Sequence, residues 1–225
     1  PDGWWFEPFL FGFGGSYFEN DKLSFQSEAT IKATHFLIDL KETAHALPPV
    51  NLRTSSYDVM MTSFKNGQVS MVINGPWAIR EAFAGQAFKE NVSNLLIAPL
   101  PKGPAGFYTP VGCQTWVVPS SCKNRKEAIE LIKFLSSTEA MAVVCKKNYS
   151  IPARQSLFND PELRKDPFLA PFLRQMQECR PHPNDHADRG ELYTLIGEYL
   201  VKVLSGDVTP EDGLKDLTAA WKGKK

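Results

Sequence analysis

The sequence predicts an α/β fold, because short strand-like segments alternate with amphipathic helical segments along the chain. Residues 69–74, 95–100 and 108–118 are rich in apolar, β-branched and aromatic residues, the composition typical of strands. Elsewhere the apolar residues recur at helical spacing, and clusters of Pro and Gly separate the segments. With 225 residues, the chain is long enough to bury one large core or two small ones.

The composition excludes several classes of partner. Lys and Arg together number 25, as do Asp and Glu, so there is no electrostatic argument for nucleic acid or an anionic membrane. Charged residues or Pro interrupt every apolar run well before the length of about 18 residues that spans a bilayer. The chain opens with PDGWWFEPF and has no initial Met, which suggests a processed product or a fragment.

The four cysteines do not form a CxxC pair. Their spacings are long and irregular, which argues against a redox motif or a paired zinc site. We expect most of them to be small buried apolar residues. They are Cys113, Cys122, Cys145 and Cys179.

In the first half of the chain, residues 1–18 combine eight aromatic residues with glycines at 12, 14 and 15, which favours either a buried plug or a stacking surface. Ser27 is expected to cap a helix that reaches about residue 46. A second helix begins at residues 54–56 and ends at Asn66-Gly67. A strand over 69–74, a turn at residues 74–76 and a helix to about Phe83 follow, with Trp77 in the first turn of that helix.

The second half of the chain is predicted to be mainly helical. Residues 124–136 have an amphipathic pattern, and a further helix covers 138–147. Prolines divide residues 153–177 into short helical pieces, and residues 179–184 form a Pro-rich connector. A long helix is expected over 191–204. A last helix, over 210–221, has Thr209 as its N-cap and Pro210 in its first turn.

Several motifs occur in an order and spacing that match a known family. The aromatic opening of residues 4–17 is followed by SFKNG at 63–67 and by MVINGPW at 71–77, the most specific element. APLP at 98–101, KEA at 126–128, FLSS at 134–137, Pro152 and the segment from Ser205-Gly206 to Leu214-Lys215 come next. The chain resembles the C-terminal part of a sugar-type extracellular solute-binding protein of ABC importers, in the maltose/maltodextrin class.

The resemblance implies a periplasmic-binding-protein-like fold, in which two α/β lobes close on a ligand in the cleft between them. Residues 1–93 would form the first part of the C-terminal lobe, and residues 138–225 the second part. Residues 94–137 would be a crossover segment that belongs to the N-terminal lobe. We expect that apolar segment to be covered by the N-terminal lobe, by another chain or by exchange with a second copy.

The resemblance also implies the function. It predicts capture of a maltose- or maltodextrin-like oligosaccharide in the interlobe cleft and delivery to the membrane subunits of an ABC transporter. The expected location is periplasmic or extracellular, with no catalysis and no cofactor. Two alternatives remain open: a carbohydrate-active enzyme or sugar-sensing module on the same scaffold, and a fragment that cannot bind because half of the cleft is absent.

The predicted sugar contacts are aromatic. The apolar C–H face of a sugar ring stacks on flat aromatic side chains. The stacking positions of the family fall on Trp4, Trp77 and Tyr193. Core packing remains the alternative for all three, since large aromatic residues are usually buried.

Polar neighbours complete the predicted site. An acidic position of the family falls on Asp2, a candidate acceptor for sugar hydroxyls, and Trp5 and Glu7 are weaker candidates. A polar family position one helical turn after Tyr193 falls on Gly197. Since Gly offers no side-chain contact to a hydroxyl, the length or type of the ligand can differ from that of the family.

Two competing chemistries have weaker support. A set of residues between 179 and 188 could ligate zinc, although it lacks a second tight pair and also fits a polar connector between helices. Carboxylate pairs could serve a glycosidase, but the chain has 25 acidic residues and therefore many chance pairs. The zinc set is Cys179, His182, Asp185, His186 and Asp188, and the carboxylate pairs are Asp2 with Glu7 and Glu191 with Glu198.

Overall fold

The computed structural model describes residues 3–20, 22–49, 51–54, 56–178 and 188–221. Its contacts divide the chain into two units. The first comprises residues 1–60, 100–110 and 178–225, and the second comprises residues 61–99 and 111–177. The predicted division at residues 93 and 137 is a different partition, and it stays a prediction.

The first unit is built around two helices from the two ends of the chain. Helix α1, Gly3–Gly12, packs against α9, Arg189–Leu204, and against α2, Glu28–Ile38. Helix α10, Pro210–Ala220, packs on α9 and α2. A short antiparallel pair, β1 (Phe18–Glu19) with β2 (Lys22–Leu23), lies between α1 and α2 in the sequence. The core of this unit combines aliphatic side chains with the aromatic residues Phe6, Phe11, Tyr17, Phe25 and Tyr199.

The predicted helix starts in this unit are confirmed. Ser27 caps α2 by accepting a hydrogen bond from the Thr30 amide, and a π-helical turn, Asp39–Thr43, extends the helix. Thr209 caps α10 by accepting from the Asp212 amide at 3.1 Å, with Pro210 in the first turn. Such caps satisfy amides at the start of a helix that have no partner within it.

A buried tyrosine links α2 and α9. The Tyr199 hydroxyl lies 2.9 Å from Oγ1 of Thr34, which donates to the backbone carbonyl of Thr30 at 2.8 Å. Burial raises the pKa of Tyr199 to about 12, although the hydrogen bond with Thr34 works in the opposite direction. The phenol therefore stays protonated well above the pH at which an exposed tyrosine ionises.

The second unit contains six α-helices within its described residues, besides short 3-10 turns. They are α3 (Tyr57–Lys65, whose first turn belongs to the first unit), α4 (Ile79–Phe83), α5 (Arg125–Leu135), α6 (Thr138–Asn148), α7 (Pro161–Lys165) and α8 (Ala170–Glu178). One small core lies around Phe64, Ile79 and Phe88, and another lies around Cys145, Leu163 and Leu173. The helix predicted from residues 54–56 to Asn66-Gly67, the helices predicted over 124–136 and 138–147, and the short helical pieces predicted within 153–177 are thus confirmed, with differences of a few residues at their ends.

The strands predicted over 69–74 and 95–100 are not formed, and the prediction of a buried strand at 69–74 is wrong for this chain. Residues 108–118 likewise have no ladder partner in the part of the chain that the structure describes. Met71 and Leu96 are each 87% exposed. A strand needs backbone hydrogen bonds to a neighbour, and composition alone cannot supply that neighbour.

The second unit leaves a large amount of apolar surface exposed. None of the side chains of α5 is buried, and Phe134 is 65% exposed. Single exposed apolar residues are normal, but a set this large is unusual for a free surface. The set includes Met71, Leu96, Val111, Trp116, Val117, Ile129, Leu131, Phe134, Val143 and Val144.

The cysteines follow the expectation only in part. Cys145 is buried, and burial raises the pKa of its thiol to about 11. Cys122 is half-buried, but Cys113 is exposed, because the segment around it has no covering element in the described chain. These three are free thiols, and Cys179 lies outside the described residues.

Candidate functional site

In the second unit, a sharp turn holds Trp77 at the surface. Gly75 is the extended N-cap of a short 3-10 helix, Pro76–Ala78, and Pro76 occupies the first position of that helix. Pro fits there because its fixed backbone angle is helical and the missing amide would have had no partner. Pro76 and Ala78 are buried, whereas Trp77 is 55% exposed. The alternative that Trp77 is a core residue of this chain is therefore wrong.

The side chain of Asn74 and the glycine beside it fix the turn. Oδ1 of Asn74 accepts a hydrogen bond from the Gly75 amide at 2.8 Å, and its Nδ2 lies 3.0 Å from Sδ of the buried Met61. A Cβ atom added at Gly75 would lie 2.1 Å from Cζ3 of Trp77. The indole therefore lies directly against the Gly75 backbone, a position that any larger residue would obstruct.

In the first unit, Tyr193 lies where α1 meets α9. Gly3, the first residue of α1, is so close that an added Cβ atom would lie 2.3 Å from Cδ1 of Tyr193 and 2.9 Å from its Cα. Trp4 and Trp5 follow Gly3 directly and are both half-buried, as is Tyr193. The fold thus brings residues from opposite ends of the chain into one aromatic neighbourhood.

The Tyr193 side chain has polar and aromatic contacts on several sides. Its hydroxyl donates a hydrogen bond to Oε1 of Glu7, and Glu7 is only 3% exposed. The Tyr17 ring packs edge-on against it, with 5.7 Å between ring centroids. Cζ of Arg189 lies 5.6 Å from the centroid, over the ring. This surrounding restricts the orientations that the ring can adopt.

The six predicted ligand contacts are distributed as follows. Trp4, Trp5, Glu7 and Tyr193 belong to the first unit, and Trp77 belongs to the second. Asp2 lies outside the described residues. Sugar contact by the six residues stays a prediction. Gly197, the position where a polar side chain was expected, is buried in α9.

The alternative chemistries receive no support from the described residues. Cys179, His182, Asp185 and His186 lie outside them, and the residues inside contain no group of three or more side chains placed to hold a metal. Glu191 and Glu198 both lie exposed on α9. Among the described helices, none has the length and apolarity needed to cross a membrane.

The sequence predictions missed helix α1, although its pattern is visible in the sequence. Its buried residues, Gly3, Phe6, Glu7, Leu10 and Phe11, recur at intervals of three and one, as one face of a helix requires. Pro8 inside the helix and the glycines after it obscure this period. The partnership of Glu7 with Tyr193 had no signal in the sequence, since 186 positions separate the two residues.

Comparisons with known proteins place the chain among sugar-binding proteins of similar fold. The chain is 24% identical to the galactooligosaccharide-binding protein of Bacillus subtilis (strain 168) over 210 residues, which is 93% of this chain and 48% of the relative. It is similar to the GacH receptor of Streptomyces glaucescens GLA.O, solved unliganded and in complex with acarbose, with a TM-score of 0.85 and 28% identity over 97% of this chain and 56% of that one.

A third similar protein is the maltotriose-binding protein of Thermus thermophilus, solved with maltotriose bound. It has a TM-score of 0.78 and 25% identity, over 97% of this chain and 58% of that one. The chain thus spans about half the length of these relatives. The periplasmic-binding-protein type of fold is confirmed. The family model described as "Bacterial extracellular solute-binding protein" matches residues 1–142, more than half of the sequence, and the chain belongs to that family.

Proposed function

We propose that this chain forms part of an oligosaccharide-binding protein that captures maltodextrin-type sugars and delivers them to an ABC importer. The observation that carries the proposal is Trp77, whose indole is 55% exposed and yet held in place by the turn at Gly75. Exposure of a large aromatic side chain to water is costly, and stacking on the apolar face of a sugar would remove part of that surface from water. The relatives named above bind oligosaccharides or the related compound acarbose.

The aromatic neighbourhood of Trp4, Trp5 and Tyr193 in the first unit is a further proposed sugar-contact surface. All three side chains are half-buried, so that each is anchored in the first unit and still presents part of its surface. Asp2, next to this neighbourhood in the sequence, would accept hydroxyl hydrogen bonds. Sites that pair sugar hydroxyls reject analogues that lack them, which would provide the specificity.

The exposed apolar surface of the second unit supports the proposed lobe assignment. Residues 94–137 would pack with an N-terminal lobe, which would cover Trp116, Leu131 and Phe134 and would supply strand partners. Support comes from the relatives, of which this chain spans about half. Since the family is extracellular, the protein would work outside the cytoplasm, in a periplasm or at a cell surface. Its role would be non-catalytic, with closure of the two lobes producing the form that the transporter recognises.

The test is calorimetric titration with maltose, maltotriose and maltotetraose. It is applied to the 225-residue chain and, in parallel, to the complete product of the gene that encodes it. Saturable binding by either sample, without release of shorter sugars on long incubation, is the expected result. Lack of binding in both samples would overturn the proposal, and hydrolysis that disappears on replacement of a carboxylate would favour the enzyme alternative.

The lobe assignment has a separate test in the dye 1-anilinonaphthalene-8-sulfonate, which fluoresces on exposed apolar surface. The 225-residue chain should bind the dye, and the double variant Ile129→Gln, Phe134→Gln should bind less of it. A complete gene product that includes an N-terminal lobe should bind little dye, both with the original residues and with the double substitution. Equal dye binding by the chain and by that two-lobed product would contradict the assignment.

A further inference from the structure

Glu7 is the one charged side chain in the core of the first unit among the described residues, and it lies beside a proposed sugar-stacking residue. It is 3% exposed, and Oε1 of its carboxylate accepts the hydrogen bond of the Tyr193 hydroxyl. A buried carboxylate is costly unless strong hydrogen bonds compensate it. The hydrogen bond from Tyr193 provides such a partner, and it holds the phenol oxygen at a fixed place beside Glu7.

Two further contacts restrict the same ring. The Gly3 backbone closes one side, because even one added carbon there would overlap Cδ1 of Tyr193. The Tyr17 ring packs edge-on with an interplanar angle of 66°, and the Tyr17 hydroxyl donates to the Gly3 carbonyl. Tyr17 therefore holds both the ring and the glycine that flanks it. Glu7 fixes the far end of the side chain, while Gly3 and Tyr17 fix its body.

We propose that Glu7 is a positioning residue for sugar binding: its carboxylate holds the Tyr193 ring in the orientation that receives the sugar. Glu7 then acts through Tyr193 rather than by touching the ligand, which its burial would hinder. An aromatic ring that is already oriented loses little conformational freedom on binding, and the affinity is higher for that reason. The proposal rests on the proposed function, since it assigns Tyr193 to the sugar site.

The first test observes the ring itself and needs no sugar. The chain is labelled with 13C-tyrosine, and the Tyr193 ring resonance is identified by its absence in Tyr193→Phe. Glu7→Leu, which fills similar space without an acceptor, should shift this resonance and alter its linewidth. Glu7→Gln retains an acceptor oxygen and should shift it without broadening. A resonance that neither variant moves would overturn the proposal.

The second test measures the affinity for maltotriose by calorimetry, in the sample that binds it. Glu7→Leu should weaken binding about tenfold, which corresponds to 1.4 kcal/mol. Glu7→Gln should stay within about twofold of the original chain, because it keeps the acceptor. Tyr193→Phe should weaken binding by a few fold, and Glu7→Leu should add little in that background, since the two changes remove the same contact.

The outcomes separate a failure of the proposed function from a failure of the positioning role of Glu7. If neither sample binds any sugar, the proposed function fails, and the Tyr193 resonance still decides whether Glu7 positions the ring. If sugar binds and Tyr193→Ala weakens binding, but Glu7→Leu lowers only the melting temperature, then Glu7 is merely structural. Should Glu7→Leu fail to fold, Glu7→Gln and Tyr193→Phe still test the contact, and unchanged affinity in Tyr193→Phe would overturn the proposal.

Discussion

Replacement of Trp77 by Ala separates a stacking residue from a core residue. An indole side chain has about 250 Å² of surface, so its 45% buried share is about 110 Å². At about 25 cal/mol per Å², that area sets an upper estimate of ~3 kcal/mol, and a loss of about 1–2 kcal/mol is expected. A fully buried Trp would lose about 3–5 kcal/mol on the same change, with a cavity left behind.

The effect on sugar binding follows from the exposed share. The 55% of the indole that is exposed amounts to about 140 Å², and a sugar that covers one face would remove about half of it from water. About 70 Å² corresponds to ~1.7 kcal/mol, or roughly a twentyfold weaker dissociation constant. Trp77→Ala should therefore weaken binding strongly while the chain stays folded.

The assay combines calorimetric titration of maltotriose with urea denaturation. Trp221→Ala is the control, because Trp221 is half-buried, packs on Phe18 and is not among the proposed sugar contacts. The control should lose a similar amount of stability and keep its affinity. If Trp77→Ala unfolds the protein, or binds maltotriose as tightly as the original chain, the stacking interpretation is refuted.

Three further predictions test other parts of the structure. Gly75→Ala should displace the indole of Trp77, because the new Cβ would lie 2.1 Å from Cζ3. Since the exposed ring can swing outward, this change should weaken maltotriose binding with little loss of stability. An unchanged affinity would contradict this prediction. Because the pKa of Tyr199 is raised to about 12, the unfolded chain loses the phenol proton at a lower pH than the folded chain does. The free energy of unfolding should therefore fall by up to ~3 kcal/mol between pH 10 and 12. Denaturation of Tyr199→Phe at each pH should lack this part of the decrease. Ellman's reagent should modify the exposed Cys113 quickly and the buried Cys145 only on unfolding. If Cys145 reacted rapidly in the folded Cys113→Ser variant, the burial of Cys145 would be refuted.

The helices could be predicted because their signals are local. Ser27, Thr209 and Pro210 announce helix starts within a few residues of the elements they begin, and Gly67 ends α3 with a positive φ of 71°. Caps and periodicity depend on neighbouring residues in the chain, so they can be recognised without knowledge of the tertiary structure. The turn before Trp77 is local in the same way, but the exposure of its side chain was not predicted, since the sequence left core packing open as the alternative.

The site around Tyr193 could be predicted only in part. The motifs of the family indicate that Trp4 and Tyr193 are aromatic positions of interest, but they say nothing about Glu7 as the partner of Tyr193. That partnership depends on the packing of α1 against α9, a contact between the two ends of the chain. Long-range contacts of this kind are decided by the whole core, and no local pattern encodes them.

The failed strand predictions have a physical cause that also bears on function. The segment before Asn74 has strand composition, yet Met71 is 87% exposed and forms no ladder. Composition expresses a preference for a pleated, half-buried surface, and the preference takes effect only where a neighbouring strand and a covering layer exist. The same segment leads directly into the turn that carries Trp77. A neighbouring strand for this segment would therefore also fix the approach to Trp77, the proposed sugar-stacking residue, so that the strand and the proposed contact would form together.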